Sequence, residues 1–128
     1  DELDALKRQF RFSIHDDDRF INDLMDEFSI RWVSLTRGSR GSRLCTREDF
    51  FTASAEPFGP LKDTVGAGDG YAAVLAAGYL LGWQPERTLQ RAARFASAVC
   101  GIRGAVPKSS AFYGPFLPWM KEGRGHAK

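Results

Sequence analysis

The sequence feature that most constrains the fold is a glycine-bounded run of small and apolar residues between Gly66 and Gly82. A Gly-Ala-Gly triplet opens the run, and Ala, Gly, Leu and Tyr dominate it as far as Leu81. A glycine directly after such a segment is a common way to end a helix. The pattern therefore predicts a helix from about Asp69 to Leu81 that begins at a glycine-rich turn and closes at Gly82.

Hydrophobic spacing and turn residues predict the remaining elements. Upstream, helices are predicted over residues 2–10 and 20–28, with the acidic residues 16–18 placed to cap the second of them. Strand-like runs cover residues 30–35, 43–46 and 50–53, and residues 111–120 are predicted to form one short helical turn. Pro85 opens a helix that runs to about Cys100, and its inward-facing residues are expected to be Leu89, Ala92, Ala93, Ala96, Val99 and Cys100.

This mixture of helices and strands indicates an α/β fold. Only Ile30–Leu35 has the character of a buried strand, whereas a parallel sheet needs several strands joined by crossovers. We therefore expect further strands upstream of Asp1. The chain has 128 residues, which is one domain at most, and it starts with Asp rather than Met, so we expect a piece of a longer protein.

Composition and charge exclude several classes of protein. Hydrophobic residues make up 43% of the chain and charged residues 27%, as in an ordinary soluble domain. A net charge of +2 is too small to indicate a nucleic-acid or membrane partner, and no apolar run approaches the roughly 20 residues of a bilayer span. Cys45 and Cys100 lie far apart, so neither a zinc site nor a disulfide framework is indicated, and a cytoplasmic location fits best.

The segment 63–70, Asp-Thr-Val-Gly-Ala-Gly-Asp-Gly, carries the chemistry. Small residues before a helix let a ligand approach the backbone closely. The free N–H groups of the first helical turn and the helix dipole then form an anion site suited to phosphate. Asp69, in that first turn, can accept a proton from a hydroxyl nucleophile. On spacing alone, an ordinary glycine-rich turn with an acidic residue explains the segment equally well.

The heptapeptide Asp63–Asp69 resembles in full the C-terminal signature of the ribokinase-like (PfkB) sugar kinases, and a Thr-x-Gly-x-x-Gly segment lies at the right distance upstream. Lys62 departs from the usual apolar residue before the signature. The resemblance implies an α/β chain that is the C-terminal portion of a three-layer α/β/α fold, with the upstream strands and the small β lid missing. Residues 1–120 would be its nucleotide-binding and catalytic part, and residues 121–128 a flexible tail.

The resemblance also implies roles for individual residues. The amides of Gly66, Ala67 and Gly68 would hold the transferring phosphate in an anion hole, and Asp69 would be the catalytic base. A monovalent-cation site would use the carboxylate of Asp63 and the carbonyl of Val65. Ser97 stands where many members have Asn or His beside the nucleotide base. The full set of nucleotide-binding residues would be Thr36, Gly38, Gly41, Ser97 and Gly104.

For several residues a ligand-binding explanation and a structural one both stay open. Residues 36–41 alone would be a bland hairpin turn, and become a nucleotide-binding segment only together with the signature. Arg37 and Arg40 lie either near phosphate or on the solvated surface. Glu2 is either the last residue of an Asn-x-x-Glu motif near the metal–phosphate site or a surface residue at a helix start. His15 and His126 lie in polar segments without partners, so neither is a catalytic candidate.

The implied function is ATP-dependent phosphorylation of a hydroxyl group on a sugar or sugar-like alcohol, as in fructokinases and ribokinases. The implied cofactors are Mg2+ on the phosphates and a monovalent cation such as K+. Two alternatives stay open: a non-catalytic nucleotide-binding or regulatory fragment, and a nucleoside kinase of the same family. Because the sugar pocket and the lid of such kinases come mostly from the N-terminal half, we expect the 128-residue chain alone to be inactive. The lid also mediates dimerisation in many members, so the resemblance is compatible with a homodimer of the full-length protein, and neither the acceptor nor the oligomeric state is determined by this part of the sequence.

Overall fold

A computed structural model describes residues 2–10, 16–55 and 62–122. The predicted helices and strands are confirmed within these residues, with small differences at their ends. The most buried strand, however, is the second one, Ser42–Thr46, whereas the predicted buried strand at 30–35 is only half-buried because its outer edge is unpaired within the described residues. The two histidines and residues 123–128 of the predicted tail lie outside the described residues. In chain order the elements are α1 (Glu2–Gln9), α2 (Asp17–Glu27), β1 (Trp32–Thr36), β2 (Ser42–Thr46), β3 (Phe50–Ala53), α3 (Ala67–Leu81) and α4 (Pro85–Cys100), with short 3-10 turns at Gly38–Arg40, Ser110–Tyr113 and Leu117–Lys121.

The three strands form one antiparallel sheet in the order β1-β2-β3. Ser34 lies opposite Leu44, and Leu44 lies opposite Phe51, so these three residues share one face. Since side chains alternate along a strand, Val33 and Cys45 point to the other face. Among the described residues β1 is paired only along its β2 edge.

Helices α3 and α4 cover the face that carries Leu44. The fully buried centre of this layer is formed by Leu44, Tyr71, Leu89 and Ala92, with Trp32, Phe51 and Val74 packed around it. The two helices also pack tightly against each other near the end of α3. There a Cβ atom added at Gly78 would lie 2.3 Å from Thr88 Cγ2, so only glycine fits.

Helix α2 covers the opposite face through Ile21 and Met25, which are buried against Cys45. Its start is fixed by Asp16, whose side chain accepts a hydrogen bond of 3.0 Å from the amide of Asp18. The acidic cap predicted from residues 16–18 is thereby confirmed. With α2 on one face and α3 and α4 on the other, the chain has the three-layer α/β/α arrangement that was expected.

The segment after α4 is held against that helix by stacked side chains. The Arg91 guanidinium lies 4.4 Å from the Trp83 ring centroid and 5.3 Å from that of Trp119. It also pairs with the carboxylate of Glu122, and this ion pair lowers the pKa of Glu122. Residues Lys121 and Glu122 of the predicted tail are therefore part of the ordered structure.

Two details of the sequence analysis need correction. The inward face of α4 includes Thr88 and Ala98, which are buried, whereas Ala93, Ala96 and Cys100 are only half-buried. The single turn predicted over residues 111–120 is instead two 3-10 turns, because Gly114 and Pro115 separate them. Among the described residues no helix has the length and apolar character that a membrane span requires.

Candidate active site

The N-terminus of α3 is set by Gly66, which has a φ of 83°. This left-handed conformation strongly favours glycine. A Cβ atom at Gly66 would also lie 2.6 Å from the Cβ of Ala105. The backbone carbonyl of Gly66 accepts the first helical hydrogen bond, 2.9 Å from the amide of Gly70. Gly66 is thus required both for the turn and for the close approach of the loop that follows α4.

Most backbone amides in the first turn of α3 donate no hydrogen bond within the described residues. Of the three amides predicted to form the anion hole, that of Ala67 donates to the carbonyl of Thr64 at 3.3 Å. Those of Gly66 and Gly68, and that of Asp69, donate to no acceptor among the described residues. Gly68 is exposed, and a Cβ atom placed on it would meet nothing within 4 Å. Open amides at the positive end of a helix dipole suit an anion such as phosphate.

Asp69 occupies the same turn with its side chain exposed. The structure gives its carboxylate no hydrogen-bond or ion-pair partner within the described part of the chain. Both oxygens therefore remain available to a ligand beside the open amides. A carboxylate in this position can accept a proton from a hydroxyl group that attacks a bound phosphate.

Asp63 joins the loop before α3 to the loop after α4. Its Oδ1 accepts a hydrogen bond of 3.0 Å from the amide of Val65, and its Oδ2 accepts one of 3.1 Å from the amide of Gly104. These amides, with Val65 the stronger, hold the pKa of the Asp63 carboxyl below its usual value. The amides of Lys62 and Asp63 add bonds of 2.9 and 3.2 Å to the carbonyl of Cys100. The structure thus brings together Asp63, Val65, Gly66–Asp69 and Gly104.

The hairpin residues Thr36, Gly38 and Gly41 lie at the turn between β1 and β2. Gly41 is buried, and a Cβ atom there would lie 2.3 Å from the carbonyl oxygen of Ala53, so the sheet alone requires this glycine. Gly38 is exposed with open space around it. Among the described residues no hydrogen bond connects this turn to the segment 62–69. Its nucleotide-binding role stays a prediction.

Ser97 lies on α4 and is half-buried. Its hydroxyl donates to the carbonyl of Ala93 on the same helix at 3.0 Å, so the group is turned onto its own backbone. Arg40 is exposed and Arg37 half-exposed, and Glu2 is exposed at the start of α1. For Arg37, Arg40 and Glu2 the contacts of the described chain favour neither of the explanations given above, and the nucleotide contact of Ser97 stays a prediction.

One contact beside the site was missed from the sequence. A Cβ atom at Gly70 would lie 3.0 Å from a ring carbon of Phe95, so α4 approaches the first turns of α3 closely. The ring of Phe95 also packs edge-on against Phe112 and Phe116, with centroids 5.9 and 4.9 Å away. A glycine inside a helix, directly after Asp69, was the signal for this approach.

The family of the chain follows from comparison with known sequences. The sequence model described as pfkB family carbohydrate kinase matches residues 1–111. The chain therefore belongs to the pfkB family of carbohydrate kinases. No curated protein matches it.

Solved structures of kinases share its fold. The adenosine kinase from Sinorhizobium meliloti matches 84% of this chain at 25% identity with a TM-score of 0.67. A protein assigned as ribokinase II from E. coli, in complex with ATP and Mg2+, matches 73% at 25% identity and a TM-score of 0.65. The ribokinase from Thermotoga maritima matches 91% at 21% identity and a TM-score of 0.67. The chain spans 32%, 30% and 39% of these three proteins, about a third of their length.

Within the described residues no group of three or more His, Cys, Asp or Glu side chains is placed to hold a metal ion.

Proposed function

We propose that this chain supplies the ATP site, the anion hole and the catalytic base of a kinase that phosphorylates a hydroxyl group of a sugar or sugar-like alcohol. The observation that carries the proposal is the N-terminal turn of α3. There the amides of Gly68 and Asp69 and the carboxylate of Asp69 are all exposed and without protein partners in the described chain. An open phosphate cradle and an adjacent base are the two groups that phosphoryl transfer to an alcohol requires.

In this reaction Asp69 accepts the proton of the acceptor hydroxyl. The acceptor oxygen forms a bond to the γ-phosphorus of ATP, and the bond between that phosphorus and the β–γ bridging oxygen breaks, so ADP leaves. The amides of Gly66, Ala67 and Gly68 donate to the oxygens of the transferring group, where negative charge must be stabilised. Ala67 contributes by giving up its long bond to Thr64.

The remaining site residues are assigned by the same proposal. Mg2+ bound to the nucleotide would neutralise charge on the phosphates; the E. coli structure that holds ATP and Mg2+ supports this part of the proposal. The Asp63 carboxylate and the Val65 carbonyl would hold a monovalent cation such as K+. Two hydrogen bonds, from the amides of Val65 and Gly104, already fix that carboxylate, and we call this pair of bonds the Asp63 clasp. The nucleotide would contact Thr36, Gly38, Gly41, Ser97 and Gly104.

A nucleoside kinase is the second candidate. The specific observation in its favour is the similarity to the adenosine kinase, which extends over 84% of this chain at 25% identity. A nucleoside presents a ribose hydroxyl to the same base, so the chemistry of Asp69 is unchanged. A non-catalytic nucleotide-binding fragment is disfavoured, because binding alone gives no reason for an unpartnered carboxylate beside the open amides.

We infer that the 128-residue chain is inactive by itself, since it spans about a third of the length of its structural relatives. The full-length protein would supply the acceptor pocket and form a homodimer. Two free thiols, at Cys45 and Cys100, support a reducing compartment such as the cytoplasm.

The test is a product assay on the full-length protein that carries this chain, supplied with ATP, Mg2+ and one acceptor at a time: ribose, fructose or adenosine. We expect release of ADP that depends on one acceptor class, with the phosphorylated acceptor detected by mass spectrometry. The 128-residue chain is the matched control and should release no ADP in response to any acceptor. ATP binding without turnover on any acceptor would instead support the non-catalytic alternative.

A further inference from the structure

We propose that the hydrogen bond between Tyr71 and Ser34 positions the N-terminal turn of α3 for phosphoryl transfer, which makes the two hydroxyls positioning groups for Asp69. The two oxygens lie 2.7 Å apart. This role rests on the proposed function. It goes beyond that function by naming what fixes the orientation of the helix.

Helix α3 is held by close contacts of its glycines with α4 and by a hydrogen-bonded side chain, Tyr71. Its fifteen residues are mostly alanine, glycine and leucine, and the buried ones are Tyr71 and Gly78. Gly78 packs against Thr88 and Trp83 near the C-terminal end. The contacts at Gly78 are close but carry no hydrogen bond from a side chain of α3. In the first half of α3, Tyr71 is the one large side chain that is buried.

The phenol of Tyr71 reaches into the sheet. Its ring is 5% exposed and packs with Leu44 and Leu89 in the main core. Ser34 belongs to β1 and is half-buried. Core side chains usually carry no polar groups. A hydrogen bond between two hydroxyls at this place therefore fixes the relative orientation of α3 and β1, which burial of apolar surface alone does not.

The direction of the hydrogen bonds follows from the available hydrogens. The hydroxyl of Ser34 donates to the backbone carbonyl of Arg43 on β2 at 3.0 Å. A serine hydroxyl carries one hydrogen, so the Tyr71 phenol must be the donor to Ser34. The result is a chain of two bonds that connects α3 to β1 and then to β2.

The Tyr71 end of this chain of hydrogen bonds lies close in sequence to Asp69, the proposed base. Tyr71 follows Asp69 by two residues, so the phenol and the carboxylate belong to adjacent parts of one rigid helical segment. A rotation of α3 about its axis would move the carboxylate and the amides of Gly68 and Asp69 together. Misplacement of reacting groups by about 1 Å is enough to cost up to about 100-fold in rate.

Hydroxyl deletions test the role without changing the packing. In the full-length protein we compare Tyr71→Phe, Ser34→Ala and the double variant with Tyr79→Phe as a matched control. Tyr79 lies on the same helix, and its hydroxyl has no hydrogen-bond partner in the described chain. The measurements are kcat and KM for ATP, unfolding, and amide hydrogen exchange over residues 71–75.

The double variant is the decisive one, because it removes both partners and leaves no unpaired buried hydroxyl. Deleting both groups is expected to be nearly neutral for stability. We expect its kcat to fall about tenfold and its exchange over residues 71–75 to become several-fold faster, with Tyr79→Phe unchanged in both. A reduced rate in a stable double variant is not accounted for by a loss of folding.

Three results would overturn the role. Wild-type kcat and exchange in the double variant would show that the bond positions nothing. Faster exchange with an unchanged kcat would make the bond structural only. A wild-type protein that transfers no phosphate would remove the proposed function and this role with it. If amide exchange over residues 71–75 were still faster in the double variant than in that inactive wild type, the hydrogen bond would be shown to hold the helix, and only the proposed function would have failed.

Discussion

The two ends of α3 use the same residue type in the same backbone conformation, yet they differ in how the backbone is satisfied. Gly66 and Gly82 both have positive φ, 83° and 73°. At the C-terminal end the amide of Trp83 donates to the carbonyl of Gly78 at 2.9 Å, and that of Gly82 donates to Tyr79 at 3.3 Å. These bonds satisfy carbonyls that the helix leaves free.

The N-terminal end has no corresponding closure. Gly66 provides no side-chain cap, and the amides of Gly68 and Asp69 have no acceptor among the described residues. A Ser, Thr, Asp or Asn at the cap position would ordinarily fill this role. A left-handed glycine alone therefore does not mark a binding site. What marks it is the set of donors that the protein leaves open.

Among glycine substitutions at the two ends of α3 and within it, the largest expected effect comes from blocking the open end. Gly68→Val should lower kcat by about 100-fold, which is roughly 3 kcal/mol. The branched side chain would project into the proposed phosphate site beside the open amides. Folding should be preserved, since nothing lies within 4 Å of the new Cβ and valine is no worse than glycine in a helix. Gly82→Ala, which also meets nothing within 4 Å, is the control at the closed end. Its kcat per folded molecule should equal that of the wild type.

A substitution in the part of α3 that packs against α4 should lower the stability of the protein and leave kcat unchanged, the reverse of what is expected at Gly68. Gly78→Ala should lower the free energy of unfolding by about 3 kcal/mol, because its Cβ would lie 2.3 Å from Thr88 and 2.7 Å from Trp83. The rate per folded molecule should stay near that of the wild type. Urea unfolding measures the loss, and adding Thr88→Ala should recover part of it. Full stability in the single variant would contradict the close packing of α3 on α4.

Gly66→Ala should have a smaller effect on stability. The left-handed conformation costs a non-glycine residue about 1–2 kcal/mol, and the new Cβ crowds Ala105 at 2.6 Å. We expect a total loss of about 2 kcal/mol in thermal or urea unfolding. Combining it with Ala105→Gly should relieve the crowding but leave the conformational cost. A double variant as stable as the wild type would show that φ at this position is not restrained.

The smallest effect concerns pH. The pKa of Asp63 is lowered in the folded protein by the amides of Val65 and Gly104. The ionised carboxylate therefore stabilises the fold above its unfolded pKa of about 3.9, and this stabilisation is lost as pH falls through the lower folded value. Asp63→Asn should flatten the dependence of unfolding on pH below about 4. Asp49→Asn, outside the Asp63 clasp, should retain it, and an unchanged profile in Asp63→Asn would contradict the Asp63 clasp.

Much of the secondary structure could be predicted because its causes are local. The Asp16 cap, Pro85 at the start of α4 and Gly82 at the end of α3 each act within one helical turn. The turn before Asp69 was likewise evident from its own residues. These features need no knowledge of the rest of the fold.

Contacts between distant segments could not be predicted in the same way. Thr88 is fully buried although its residue type is usually exposed, because Gly78 of α3 lies directly against it. The bond between Ser34 and Tyr71 joins residues far apart in the sequence, and neither residue has a local signature. The close contact of Gly41 with Ala53 across the sheet likewise had no local signature, and the nucleotide contact of Gly41 stays a prediction.

The central claim is that the open end of α3 holds the transferring phosphate while Asp69 accepts the acceptor proton. The most direct measurement is kcat together with ATP affinity for Asp69→Asn in the full-length protein. Asn keeps the shape of the side chain but cannot take up the proton. The account predicts that kcat falls about 1,000-fold while the Kd for ATP stays within about threefold of the wild type. A variant with near-wild-type kcat would contradict the assignment of Asp69 as the base.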